Sequence, residues 1–103
     1  MLREKREHTR AIFDALVTFS GEASGEAHAC DISVGGMFMS LGPGQPAPRV
    51  GAQVTLHFHL PGLDQVEIPG YVRWIKDEGF GVQFGLLGPR ITHAIGKLTL
   101  QTA

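Results

Sequence analysis

The cleanest pattern in the chain is the alternation over Gln53–Leu60, where Val54, Leu56, Phe58 and Leu60 face one way and Gln53, Thr55, His57 and His59 the other. A period of two sends successive side chains to opposite faces, so this segment is predicted as a half-buried antiparallel strand. Ile12–Phe19 also alternates, with Phe13, Ala15, Val17 and Phe19 opposite Ile12, Asp14, Leu16 and Thr18. Apolar residues on both sides predict a strand partly covered on each. After a small-residue turn over Ser20–Glu26, Ala27–Ser33 and Met37–Leu41 are predicted strands around a short polar corner. Gly42–Gly51, with three prolines and three glycines, is a loop, and Pro61-Gly62 breaks the strand before it. Val66–Ile75 is a long strand in which Pro69 predicts an edge or a bulge near the start. Lys76-Asp77-Glu78-Gly79 is a hairpin turn into a last strand, Phe80–Phe84. Leu86–Arg90 turns a corner, and Ile91, Ala94, Ile95 and Leu98 then fit i, i+3, i+4, i+7, a short amphipathic helix that Gly96 weakens. Six antiparallel strands and a terminal helix predict a small all-β barrel, because closure removes exposed sheet edges. The helix would cover one open end or face.

Composition narrows this picture. At 103 residues the chain is one domain, divided into an N-terminal arm over 1–11 and a barrel with its helix over 12–103. A net charge of −1 argues against a broad nucleic-acid surface, so no DNA or RNA partner is expected. Charge is uneven, however. Arg3, Lys5, Arg6 and Arg10 crowd the first ten residues against Glu4 and Glu7, so an anion site is expected to involve the amino terminus. Cys30 is the only cysteine, which rules out a disulfide within the chain and a thiolate metal cluster; it is expected to be buried as a small apolar residue. The charged start lacks an apolar signal core, and no run reaches the ~18 apolar residues of a membrane span. The expected address is the cytoplasm, without membrane insertion.

Candidate chemistry centres on Asp31-Ile32-Ser33-Val34-Gly35-Gly36. Asp31 and Ser33, two apart on a strand, share a face, and the paired glycines allow φ > 0 and close approach of another group. This corner reads either as an ordinary polar hairpin or as a surface for a ligand with donors and acceptors together. Arg6 and Arg10, four apart before the first strand, can converge on one anion from a helical turn or a bent loop. A guanidinium fork binds phosphate oxygens or the O6/N7 edge of guanine, and its face stacks on purines. A solvated basic arm is the alternative.

Together these stretches resemble the PilZ domain family: Arg6-x-x-x-Arg10, then Asp31-x-Ser33-x-Gly35-Gly36, then Gly70-Tyr71-Val72-Arg73-Trp74 and Gly79-Phe80-Gly81-Val82-Gln83-Phe84. The resemblance spans roughly residues 5–98. It implies a six-stranded β-barrel with a C-terminal helix that acts as a bacterial receptor for the second messenger cyclic di-GMP. Arg6 and Arg10 would clamp phosphates and guanines, Asp31 and Ser33 would hydrogen-bond guanine, and Gly35 and Gly36 would admit the ligand to the backbone. Lys5, Met37 and Trp74 are further candidate contacts. Ligand bridging the arm to the Asp31 face would order the arm and relay the signal to an unidentified downstream protein, in motility or biofilm control. A ligand-independent PilZ-like adaptor in pilus or motility machinery is the alternative.

Other candidates take simpler readings. His57 and His59 are expected as exposed strand histidines, without a metal. No nucleophile elbow accompanies Ser33, so no enzyme and no cofactor are expected. Trp74 shares its predicted face with Val72 and is expected in the core, with a stacking platform as the alternative. Met37, Phe38 and Met39 are expected to pack in the core, with one side chain lining the pocket.

Overall fold

Alternation turns into burial wherever the strands are regular. The computed structural model describes residues 10–101. The elements are β1 (Ala11–Gly21), β2 (Gly25–Ser33), β3 (Gly36–Ser40), β4 (Gln53–Leu60), β5 (Asp64–Lys76), β6 (Gly79–Phe84) and α1 (Pro89–Gln101). Six strands close into a barrel in the order β1-β2-β3-β6-β5-β4, each neighbouring pair antiparallel. Closure is completed by β1 against β4, with Thr18–Gly21 opposite His57–Val54.

Inward side chains fill the barrel: Val17 and Phe19 from β1, Met37 and Met39 from β3, Val54, Leu56, Phe58 and Leu60 from β4, and Phe80 and Val82 from β6. Phe19 meets Phe80 edge to face with centroids 5.2 Å apart, and Phe13 meets Phe58 likewise at 5.8 Å. The outer face of β1 is not covered as expected, with Ile12 and Leu16 both exposed. A single-walled barrel has one interior, so only one face of each strand enters the core.

Pro69 pairs in regular register with Thr55 of β4, and on its other side it lies just past the last β5–β6 pair, Gly70 with Phe84, so it occupies a local edge as the sequence predicts. Its carbonyl accepts from the Gly85 N–H at 2.8 Å, just past the end of β6. The missing N–H of Pro69 points the same way, to where β6 has already ended, so no ladder bond is lost. The β5–β6 hairpin turns on Asp77-Glu78, with Asp77 at φ 48°. Asp tolerates that left-handed conformation better than most residues.

The helix starts earlier than its apolar pattern, at Pro89, whose fixed φ suits a first helical position. The Gly88 carbonyl accepts the Thr92 N–H at 3.0 Å. Ala94 and Ile95 are buried, Ile91 and Leu98 half-buried, and the helix packs on β1 and β2. Among the described residues, no helix is long and apolar enough to cross a membrane.

Candidate functional site

Two irregularities in the ladders create the site. A bulge between Ala29 and Asp31 shifts the β2–β3 register, and a second between Val72 and Trp74 shifts β5–β6. Ala27 and Ala29 point inward, so strict alternation would carry Asp31 into the core; with the bulge, Cys30 and Asp31 both face outward and Ile32 returns inside. Likewise Val72 is buried, whereas Arg73 and Trp74 both face out. A bulge re-aims side chains in this way at the cost of one unpaired residue. Two expectations are thereby corrected. Trp74 is 41% exposed and not in the core, and Cys30 is exposed and not buried.

The outward residues form a row across four strands. Asp31 pairs with Phe38, Phe38 with Gly81, and Gly81 with Trp74. Three inter-strand steps of ~4.8 Å make the row about 14 Å long. Gly81 is the gap in it. A Cβ there would lie 2.1 Å from Cε2 of Trp74, so the indole lies over the bare glycine.

Arg10 closes the Asp31 end. Its Nε and Nη2 donate to the same Asp31 oxygen, Oδ1, at 2.9 and 2.6 Å, and Nη1 donates to Ser33 Oγ at 3.3 Å. The side chains of Arg10 and Asp31 are 25% and 34% exposed, so water still screens the pair. Asp31 Oδ2 receives no hydrogen bond from the described residues. Ser33, buried, also accepts from the Gly35 N–H at 3.1 Å, which ties the corner to the guanidinium. Its hydroxyl has no histidine partner among the described residues.

The two corner glycines serve the barrel. Neither uses the positive φ that glycine allows. A Cβ on Gly36 would lie 2.3 Å from the Val82 carbonyl oxygen, so glycine is required for β3 to approach β6. The Gly35 carbonyl accepts the Phe84 N–H at 2.9 Å. Neither borders the groove described next, and Met37, expected as a contact, is fully buried in the core. Lys5 and Arg6 lie outside the described residues.

A groove of about 620 Å³ runs along the row, bordered by Arg10, Asp31, Phe38, Trp74, Lys76 and the 77–79 turn. That volume lies within the ~300–1,000 Å³ typical of small-molecule sites. Lys76 and Gly81 are not singled out as site residues by the sequence, whereas Phe38 is the one of Met37, Phe38 and Met39 that lines the groove. Register brings them there: Phe38 alternates outward between buried Met37 and Met39, and Lys76 pairs with Gly79 at the hairpin. The groove thus combines a fixed guanidinium, an ammonium, two aromatic side chains and three carboxylates, those of Asp31, Asp77 and Glu78.

The histidines do not converge. His28 pairs with Asp14, His57 with Glu67 at 3.6 Å and His59 with Asp64 at 3.5 Å. Among the described residues, no group of three histidine, cysteine or carboxylate side chains could hold a metal ion.

Comparison with known proteins follows the same lines. The model of the PilZ domain family matches residues 4–100. Among solved structures, the inhibitor of motility MotI/DgrA of Bacillus subtilis aligns with TM-score 0.79 at 18% identity, over 97% of this chain and 52% of that chain. This chain therefore spans about half the length of that protein. The PilZ domain of YcgR from Escherichia coli, in a structure with c-di-GMP, aligns with TM-score 0.76 at 13% identity, over 95% of this chain and 91% of that one. The PilZ domain of CeSA from a cellulose-synthesizing bacterium gives TM-score 0.69 at 13% identity, over 90% of this chain and 96% of that one. A search of curated protein sequences gives no match. With the family model covering nearly the whole chain, and six strands closed into a barrel with a helix at the end, the chain belongs to the PilZ domain family.

Proposed function

We propose that the protein is a cyclic di-GMP receptor that binds its ligand in the groove between Arg10 and Trp74 and signals to a partner protein, without catalysis. Family membership and the c-di-GMP in the YcgR PilZ structure support the ligand class. The observation that carries the site is Arg10, held by Asp31 and Ser33 at the head of a row that ends on Trp74.

The chemistry of the ligand suits these residues. Cyclic di-GMP is a dianion with two guanines. Asp31 and Ser33 fix the plane of the Arg10 fork, so little side-chain freedom is lost when it engages an anion or stacks on a base. Asp31 Oδ2 would accept from guanine N1–H and N2–H₂. Phe38 and Trp74 offer apolar faces for the bases, and Lys76 adds a cation for a phosphate. Charge-assisted hydrogen bonds contribute about 1.5–3 kcal/mol each, enough with stacking for micromolar affinity, ~−8 kcal/mol. Lys5 and Arg6 would join on the phosphates. Holding their segment against the barrel would then change the surface offered to the partner.

Trp74 is the only tryptophan, so its emission reports directly on the groove. Titration with cyclic di-GMP is expected to quench it, with an isothermal calorimetric signal at the same midpoint. Absence of both at high micromolar ligand would sink the receptor reading. A partner bound equally well with and without nucleotide, and by Arg10→Ala, would favour the adaptor.

A further inference from the structure

A second cleft lies at the other end of β5. The groove at Arg10 borders Lys76, where β5 ends; this cleft, of about 340 Å³, lies between the 61–63 turn, just before β5 begins, and helix α1. Its floor is apolar, made by Leu63, Ala94 and Leu98. Arg90, His93 and Lys97 border it. Their spacing of three and four residues puts all three on one stripe of the helix.

Among the described residues, the cations Arg90 and Lys97 have no ion-pair partner. The four ion pairs among the described residues lie elsewhere, and the neighbouring carboxylate, Asp64, is paired with His59. Helix α1 contains no Asp or Glu. Its own stability does not explain the arrangement either, because Arg90 sits in the first turn, at the positive end of the helix dipole, where a cation is unfavourable. General basicity is also excluded as a cause, since the whole chain carries a net charge of −1.

We infer that this cleft docks an acidic segment of a partner protein, one that places an apolar side chain on Leu63, Ala94 and Leu98 and carboxylates against Arg90, His93 and Lys97. Charge complementarity sets the sign of the partner. The lining sets its class: apolar Leu63, Ala94 and Leu98 beside the basic side chains suit a segment that carries both residue types. The helix N-terminus adds to the same positive field. This inference does not rest on the nucleotide reading, and because the two sites lie at opposite ends of one strand, both can be occupied together.

The test is an array of short peptides in which glutamate and leucine positions are varied, followed by fluorescence anisotropy on the best binder. Peptides with both residue types are expected to bind, and those with glutamine for glutamate or serine for leucine to bind much less. The double variant Arg90→Glu/Lys97→Glu, checked for fold by circular dichroism, should weaken binding by roughly tenfold or more, as should added salt. Its affinity for cyclic di-GMP should stay at the parent value, so failure here is separable from failure of the receptor reading. Three results would overturn the inference: no preference for acidic-apolar peptides, binding indifferent to the charge reversal, or tighter binding to phosphatidylserine vesicles than to any peptide.

Discussion

On the proposed receptor reading, Arg10 should contribute far more to recognition than to folding. Its pair with Asp31 is partly exposed, and such pairs contribute only ~0–1 kcal/mol to stability. Arg10→Ala should therefore leave the melting temperature nearly unchanged while weakening cyclic di-GMP binding by about 2 kcal/mol, roughly 30-fold, in calorimetry. An equally tight variant would mean that the ligand binds elsewhere. Gly81 gives a second residue-level test. Gly81→Ala places a Cβ where the indole of Trp74 lies, and a side chain can swing away where backbone cannot. The fold should persist, tryptophan emission should shift to longer wavelength, and nucleotide affinity should drop by about tenfold, since base–aromatic stacking is worth ~1–3 kcal/mol per base. At this scale the sequence was partly legible. Asp31 carried a warning, for Ala27, Ala29 and Asp31 share one parity, and a carboxylate in a core position signals a bulge. Trp74 carried none, because an aromatic residue in step with Val72 suits the core as well as the surface. Phe38, Lys76 and Gly81 become site residues only through cross-strand register, which no local pattern states.

Among the elements, β4 was fully legible because its alternation is unbroken, and the barrel followed from the number and spacing of strands. β5 proved longer than its apolar run, from Asp64 to Lys76, since its polar ends are held by ladder bonds to β4 and β6. Helix α1 forms although Gly96 sits within it. A Cβ at Gly96 would meet nothing within 4 Å, and its φ is not positive. Gly96→Ala should therefore stabilise the protein by about 0.5–1 kcal/mol through lost freedom of the unfolded chain. Thermal or urea denaturation would show it as a higher midpoint with no change in nucleotide binding. A lower midpoint would show that the glycine serves the packing of the helix on β1 and β2.

For the molecule as a whole, charge and stability are largely uncoupled. Among the described residues, the Arg10–Asp31 ion pair and the three histidine–carboxylate pairs involve partly or largely exposed side chains, and the core is the apolar interior of the barrel. Raising ionic strength from ~0.05 to ~0.5 M should weaken binding of the dianion, whose attraction to Arg10 and Lys76 is screened, while the melting temperature moves little. Parallel calorimetry and thermal melts would check both. The closed ring of β1-β2-β3-β6-β5-β4 also bears on how such a protein acquires and loses interactions. Among the described residues every strand has two hydrogen-bonded neighbours, which shortens the edge that another chain could join by main-chain hydrogen bonding, a mode that would accept nearly any extended sequence. Association then falls mainly to side chains on the outer wall. Each is then separately editable, so a single substitution can sever one conversation of the protein and leave its architecture and its other conversations intact.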